Sequence, residues 1–415
     1  MKLKTAHIFL AAASLATLTV LAGCGTNNSG ELSSPGYNVA DLVSVPSIVS
    51  LAITPQVASG HVGQVVQLTA QGTLSNGQVA NVSSQVTWSS SDPSLASVNS
   101  TGAVTAKLPG TVTITATRGT LTTSIQFTVN PFITRVFISN KGNNSIAVFD
   151  LNANGVVNPV HTISGANTQL TSPGQMAFLG QELFVANPGK GEVEVFNLQA
   201  EGNVAPLRHI KNPALTAGVT GIAINSNTNE LFVLSGTNLS VFNPGDSGDN
   251  VTPKRTPISG ATTTLVSTGD AQIALSGNSV LVPNVVTVLA FDQNQTGNTA
   301  PTKTLTGPAA LLKKSTAVGV NSNTGDFFVS DQGNTPGAVF RFASAADTVT
   351  APLQTIAEAP LLAPRGLLPV ANNGSLWVVD TASVKLYPAA GAPPTRAFSS
   401  SALSEPQGIV ITGSF

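Results

Sequence analysis

Apolar and polar positions alternate one by one from residue 47 to residue 129, as they do in strands that bury one face. In the clearest run, Val112, Ile114 and Ala116 alternate with threonines. Short runs of this kind, rich in Val, Ile and Thr and separated by Gly or by Ser-Asp-Pro, predict two packed sheets. We therefore expect a small β-sandwich domain over residues 47–130.

The rest of the chain repeats one apolar segment six times. The copies begin 47, 48, 49, 47 and 49 residues apart, at Val136, Leu183, Leu231, Val280, Phe327 and Leu376. A following segment ends each time in an aromatic residue: Phe149, Phe196, Phe242, Phe291, Phe342 and Tyr387. A third segment resembles residues 161–163, and a fourth is small and apolar, as at residues 221–224 and 408–411. Four short strands in every unit of about 40–50 residues predict a β-propeller. The fold class is therefore all-β, with a six-bladed propeller over residues 133–415.

The phase of the repeat predicts how the ring closes. The first copy starts at a second strand, Val136, and the last segment, residues 406–411, is of the small apolar kind. This segment can pair with the first unit and leave no free sheet edge, which favours six blades over seven. We expect the small strands to lie innermost and the aromatic residues to pack between blades.

Charge excludes one class of partner. Lys plus Arg is 18 and Asp plus Glu is 19, a net charge of −1, and charged residues are only 9% of the chain. An average globular protein has about 25%. A nucleic-acid binder that relies on a basic surface is therefore excluded. The apolar fraction of 41% also argues against a mostly disordered chain.

The N-terminus has the pattern of a targeting segment. Lys2 and Lys4 precede an apolar stretch at residues 8–21 that is too short to span a bilayer. The stretch ends in Leu21-Ala22-Gly23-Cys24, which resembles the lipobox of bacterial lipoproteins. The resemblance implies that residues 1–23 are removed and that Cys24 is lipidated. An ordinary secretory signal with an unrelated cysteine is the alternative.

Further expectations depend on that resemblance. Cleavage leaves 16 basic residues against 19 acidic ones, and the acyl chains make the membrane a partner. Residues 24–46, rich in Ser, Gly, Asn and Pro, read as a flexible tether. Gly25 favours the outer membrane if the host is diderm, with the protein facing the periplasm or the exterior. Cys24 is the chain's single cysteine, so an internal disulfide is excluded.

The sandwich resembles the bacterial Ig-like domain of group 2. The residues that carry the resemblance are Val86-Thr87-Trp88-Ser89-Ser90-Ser91-Asp92-Pro93, Gly102–Ala106 and Gly110–Ala116. It implies a spacer or adhesion module on a cell surface. We expect Trp88 to fill the core rather than to stack on a sugar.

The repeats resemble NHL and lactonase-like propellers, most clearly over residues 193–210. This resemblance implies the fold and little chemistry, because propellers support many unrelated functions. In propeller lyases and lactonases, His, Glu, Asp or Asn lie near the axis, whereas the inner strands here carry mostly Gly, Ala, Gln, Ile and Val.

Candidate catalytic groups are few. His161 and His209 occupy equivalent positions of the outermost segment, so the repeat itself accounts for them. Zinc needs three or four converging ligands, and no such set is evident. Asp270 is a weak metal candidate, and otherwise neither metal nor cofactor is expected. The Asx residues that follow the second strands are expected to bond their own backbone in turns.

A binding role is therefore favoured over catalysis. One rim is rich in Asn, Thr and Gly, and its possible binding residues are Asn143, Asn144, Lys190, Asn238, Gln332 and Asn334. We expect a lipid-anchored envelope protein in which an Ig-like spacer presents a non-catalytic propeller to a protein or glycan partner. The alternative is a metal-dependent propeller hydrolase, lactonase or lyase.

Overall fold

The computed structural model describes residues 46–130, 134–215, 217–266, 269–308, 311–357, 361–389 and 393–412. The predicted signal segment, Cys24 and the tether up to residue 45 lie outside these ranges. Regular structure within them is β-strand and short 3-10 turns, at Ser83–Gln85, Ala166–Thr168, Pro213–Leu215 and Ala261–Thr263. No helix in the described ranges is long and apolar enough to cross a membrane.

The N-terminal domain is the predicted β-sandwich. Its strands are β1 (Ile48–Thr54), β2 (Ala58–His61), β3 (Val65–Gln67), β4 (Thr69–Leu74), β5 (Val79–Asn81), β6 (Thr87–Ser90), β7 (Ala96–Val98), β8 (Ala103–Ala106), β9 (Gly110–Arg118) and β10 (Leu121–Asn130). They form sheets in the orders β1-β4-β5, β2-β10-β9-β6 and β3-β8-β7. Trp88 is 9% exposed in the core between them, and its indole N–H donates to Ser83 O at 2.9 Å. The expectation that Trp88 is a core residue is confirmed.

Six sheets follow, each a blade. Blade 1 contains β11 (Arg135–Asn140), β12 (Ser145–Asp150) and β14 (His161–Ile163), and blade 2 contains β15 (Met176–Leu179), β16 (Glu182–Asn187), β17 (Glu192–Asn197) and β18 (Arg208–Lys211). Blade 3 contains β19 (Val219–Asn225), β20 (Glu230–Ser235) and β21 (Asn238–Phe242), and blade 4 contains β22 (Ala274–Ser276), β23 (Ser279–Asn284), β24 (Thr287–Asp292) and β25 (Lys303–Leu305). Blade 5 contains β26 (Ser315–Val320), β27 (Phe327–Asp331), β28 (Ala338–Phe342) and β29 (Gln354–Ile356). Blade 6 contains β30 (Leu367–Pro369), β31 (Leu376–Asp380), β32 (Ser383–Tyr387) and β33 (Arg396–Ser399), with the two-residue strand β13 (Gly155–Val156) at its outer edge.

The ring closes as the phase of the repeat predicts. The last strand, β34 (Pro406–Ile411), is the inner strand of blade 1 and pairs antiparallel with β11, from Val136–Ile411 to Asn140–Pro406. Both ends of the propeller sequence therefore meet in one sheet, and the all-β, six-bladed fold is confirmed.

Apolar clusters between neighbouring blades hold the ring together. Each contains one of the recurring aromatic residues, all of them under 2% exposed: Phe149, Phe196, Phe242, Phe291, Phe342 and Tyr387. Burying such rings contributes about 1.5–3 kcal/mol each. The prediction that they pack between blades is confirmed.

Candidate functional site

The hub, where the inner strands meet around the ring axis, is filled by the chain's own groups. Gln175 of blade 2 donates from Nε2 to Ile273 O at 2.7 Å. Its Oε1 accepts from the backbone N–H groups of Ile222 and Ile273, both at 2.9 Å. One side chain thus joins blade 2 to blades 3 and 4 across the axis.

The other half of the hub is equally tight. Gln272 Nε2 of blade 4 donates to Gln407 O of blade 1 at 3.0 Å. A Cβ at Gly408 would lie 2.6 Å from Gly174 O, and one at Gly366 would lie 2.4 Å from Gln407 O, so both positions need glycine. The cavity that remains at the mouth of the hub is about 20 Å³, which is room for a water molecule and not for an organic substrate.

Asp270, the weak metal candidate, lies at this mouth. Its Oδ1 is 3.0 Å from Lys141 Nζ, and the two side chains are 26% and 38% exposed. The lysine ammonium therefore supplies the cation that the carboxylate faces. In the described part of the chain no three His, Cys, Asp or Glu side chains are grouped as metal ligands would be.

The buried Asx residues after the second strands have a different role from the one expected. Asn187 Oδ1 accepts from Thr171 N at 2.7 Å, and its Nδ2 donates to Gln169 O at 3.0 Å. It therefore fastens the loop that leads into its own blade, not its own turn. Asn140, Asn284, Asp331 and Asp380 accept from the corresponding loops in the same way. The expectation of turn-internal bonds is wrong in the main, although Asp331 also accepts from Gly333 N in its own turn.

The predicted rim residues lie on the rim face, defined as the face on which each second strand ends and the third begins. Some of them hold neighbouring loops: Asn144 Oδ1 accepts from Ser172 N at 2.7 Å, and Asn334 Nδ2 donates to Leu311 O at 3.1 Å. Asn143 and Asn144 belong to blade 1, Lys190 to blade 2, Asn238 to blade 3, and Gln332 and Asn334 to blade 5. These six residues are therefore spread around the ring. Lys190 also belongs to a cleft.

This blade-2 cleft has a volume of about 510 Å³, within the range of ligand sites. Its lining residues are Gln169, Lys190, Glu192, Glu194, Ala205, Pro206, His209, Lys211 and Asp249. Glu192 and Glu194 point to one face of β17, because Val193 and Val195 alternate with them and pack in the cluster shared with blade 3. The register then places Lys211 opposite Glu192 and His209 opposite Glu194.

Glu194 is the most perturbed group in the cleft. It is 1% exposed, Asn187 Nδ2 donates to its Oε1 at 3.2 Å, and no N–H or hydroxyl group of the described residues donates to its Oε2. Burial, a hydrogen-bonding contact with the Glu192 carboxyl group and the charge of that group raise the pKa of Glu194 to about 8. The Glu194 carboxyl is therefore protonated at neutral pH.

Glu192 is also buried, but it has counterions. Lys211 Nζ lies 3.4 Å from Glu192 Oε2, and Lys190 Nζ lies 3.8 Å from Glu192 Oε1. At the outer end of the cleft, His209 Nε2 lies 3.3 Å from Asp249 Oδ1. Both ammonium groups thus face the single Glu192 carboxylate. The Asp249 carboxylate beside His209 supplies the second negative charge, so the two lysines and the two carboxylates of the cleft balance while Glu194 is neutral.

Blade 2 alone has two acids here among the six blades. Glu192 aligns with Ser145, Asn238, Thr287, Ala338 and Ser383. Glu194 aligns with Ala147, Ser240, Leu289, Phe340 and Lys385. A feature that the repeat does not require is a candidate for function. The sequence analysis missed this pair, and aligning the repeats column by column would have found it.

The same alignment corrects the assignment of the two histidines. His161 pairs with Val148, whereas His209 pairs with Glu194. In the alignment of the repeats Glu194 corresponds to Ala147, one residue before Val148. The two histidines are therefore not equivalent and lie on opposite faces of their blades. Burial lowers the pKa of His161, which lines a different cleft of about 290 Å³ together with Arg135 and Phe137.

Comparison with known proteins supports the two-part architecture. Residues 48–129 match the family model of the bacterial Ig-like domain (group 2). No curated protein matches the chain in sequence. The resemblance of the sandwich to this Ig-like family is thereby confirmed.

Among solved structures, a protein of unknown function from Bacteroides caccae aligns with a TM-score of 0.51 at 12% identity, over 68% of this chain and 100% of its own. A chain of a nidogen–laminin complex aligns with a TM-score of 0.49 at 11% identity, over 67% and 98%. A candidate 6-phosphogluconolactonase from Bacteroides uniformis aligns with a TM-score of 0.46 at 13% identity, over 84% and 98%. Likeness this remote concerns fold and not chemistry.

Proposed function

We propose that this chain is a lipid-anchored protein of the bacterial cell envelope, in which the Ig-like domain is a spacer and the propeller is a binding module. The Ig-like domain and the propeller together fit a non-catalytic binding protein. The anchor rests on the Leu21-Ala22-Gly23-Cys24 motif, and a glycine after the cysteine favours the outer membrane of a diderm host.

The closed hub is the observation that carries the binding role. The propeller enzymes that the repeats resemble act near the axis, where this chain has packed glutamines and a cavity of about 20 Å³. An organic ligand or a protein partner is too large for this cavity and must therefore bind to the outer surface of the ring. The rim face offers neutral polar groups, and its Lys190 also lines the blade-2 cleft, which extends along the outer strands of that blade. Such surfaces suit a glycan or a polar protein partner.

The anchor is tested by labelling. Cells that express the full chain are fed a radioactive fatty acid and fractionated, beside cells that express Cys24→Ser. We expect the label and the membrane association in the first protein only. Equal release of both proteins into the soluble fraction would contradict the anchor.

The binding role is tested by crosslinking in intact cells. Because Cys24 is the single native cysteine, an Asn143→Cys variant introduces one thiol on the rim face. A Val156→Cys variant is the matched control, since Val156 is 89% exposed at the outer edge of the ring. A discrete crosslinked product from Asn143→Cys alone supports a partner on the rim face. Products from neither variant, or from both alike, contradict it.

A further inference from the structure

The blade-2 cleft is lined by a buried carboxyl oxygen to which no N–H or hydroxyl group of the described residues donates. This atom is Oε2 of Glu194, a residue that lines the cleft and is 1% exposed, and the hydrogen-bonding neighbour of the carboxyl group on its own strand is Glu192. An added hydrogen bond to such a buried oxygen is favourable, because burial removes it from water. A protonated carboxyl group is both a donor and an acceptor, and a ligand hydroxyl can pair with it in either direction.

The rest of the cleft narrows the class of ligand. Lys190 and Lys211 offer ammonium donors that share the Glu192 carboxylate at 3.8 and 3.4 Å, and Asp249 adds a second carboxylate to the lining, so the cleft as a whole has no net charge. A strongly anionic or cationic ligand would have to break these pairs. A neutral ligand rich in hydroxyl groups can leave these ion pairs intact and form additional hydrogen bonds with the same side chains.

One wall of the cleft is apolar. Ala205 and Pro206 line it without any polar side-chain atom, and Ala205 is exposed. Sugar rings combine an apolar face with equatorial hydroxyl groups, so a ring can lie on this wall while its hydroxyls reach the charged side. A volume of about 510 Å³ has room for more than one sugar ring.

We propose that the blade-2 cleft binds a neutral oligosaccharide. Glu194 and the two lysines bond its hydroxyl groups, and the Ala205–Pro206 wall packs against a ring face. This inference rests on the proposed binding function and names the ligand class and the site.

Calorimetric titration of the full chain tests the proposal, with a panel of neutral oligosaccharides that includes maltotriose and chitotriose. Glu194→Leu removes the hydrogen-bonding group, and Leu289 at the equivalent position of blade 4 indicates that the blade tolerates this side chain. We expect Glu194→Leu to weaken binding by about tenfold or more. Glu194→Gln, which keeps a neutral donor and acceptor, stays within about threefold of the wild type. Glu201→Gln, which changes an exposed glutamate of the same blade, has no effect.

The outcomes separate this inference from the proposed function. Loss of binding in Glu194→Gln as large as in Glu194→Leu, together with binding of an oligolysine peptide, would assign the cleft to a cationic peptide and overturn the saccharide. Absence of binding across the panel, or binding that is unchanged in Glu194→Leu, also overturns it. In either case a crosslinked partner at Asn143→Cys would leave the proposed function standing.

Discussion

Lys141 Nζ of blade 1 lies 3.0 Å from Asp270 Oδ1 of blade 4, so a contact between residues 129 positions apart closes the mouth of the hub. In a ring of six, these two blades are opposite each other. Both side chains are partly exposed, and ion pairs of that kind contribute little to stability.

The first prediction concerns this pair. A double-mutant cycle with Lys141→Met and Asp270→Asn should give a coupling free energy of about 1 kcal/mol or less in urea unfolding. The ring is held by apolar clusters and by the closing strand, and not by this contact. A coupling free energy of several kcal/mol would show that the Lys141–Asp270 ion pair contributes substantially to the stability of the ring.

The second prediction concerns packing at the hub. A Cβ at Gly366 would lie 2.4 Å from Gln407 O and 3.1 Å from Val379 Cγ2. Gly366→Ala should therefore push blades 6 and 1 apart and lower the free energy of unfolding by about 1–3 kcal/mol. Gly245→Ala is the matched control, because no atom lies within 4 Å of the added Cβ. Equal urea midpoints for the two variants would contradict the close-packed hub.

The third prediction uses one blade as the template for another. Asp380 and Lys385 of blade 6 form a buried pair at 2.7 Å, and blade 4 has Asn284 and Leu289 at the equivalent positions. Burial opposes ionisation of Asp380, but the Lys385 ammonium and the N–H groups of Ala363 and Thr381 outweigh it and lower the pKa of Asp380.

Lys385→Leu alone leaves the buried Asp380 carboxylate without its cation, which should cost about 3–5 kcal/mol. The double variant Asp380→Asn/Lys385→Leu copies blade 4 and should recover most of that loss. Urea unfolding of the three proteins measures both effects. A double variant no more stable than Lys385→Leu would show that blade 6 requires the charges themselves.

The fourth prediction concerns pH. The folded-state pKa of Glu194 is about 8, above its ordinary value of 4.5. Between these two values the folded chain holds a proton that the unfolded chain releases, so stability falls as pH rises across the window. A single group of this kind contributes at most about 1.4 kcal/mol per pH unit.

Thermal or urea unfolding from pH 5 to pH 8.5 measures this dependence. The wild type should lose stability over the window relative to Glu194→Gln, which cannot titrate. Glu201→Gln should follow the wild-type profile. Parallel profiles for wild type and Glu194→Gln would refute the raised pKa.

Much of the architecture could be predicted from the sequence, because each repeat unit forms one blade and so the number and spacing of the units predict the number of blades. The spacing of the copies, the phase that begins at Val136 and the recurring aromatic residues such as Phe149 are all properties of single segments. They predicted the number of blades, the closing strand and the cores between blades.

The functional surface was harder because it depends on contacts between distant loops. In Glu192-Val193-Glu194-Val195 the alternation looks like a solvent-exposed face. Both acids are buried instead, and the cleft that they line also includes Gln169 from one side and Asp249 from the other. Likewise, Asn187 resembles a turn residue in sequence, and its real partners, Thr171 and Gln169, precede its blade.

The closing sheet also sets the mechanical behaviour of the molecule. Any pull that reaches the propeller through the Ig-like domain enters at β11, which follows β10 directly in the chain. This strand is bonded on both sides, to β12 and to β34. Tension along it must therefore shear two antiparallel ladders at once rather than peel one edge open, so the ring should resist load best at the point where its own ends are joined.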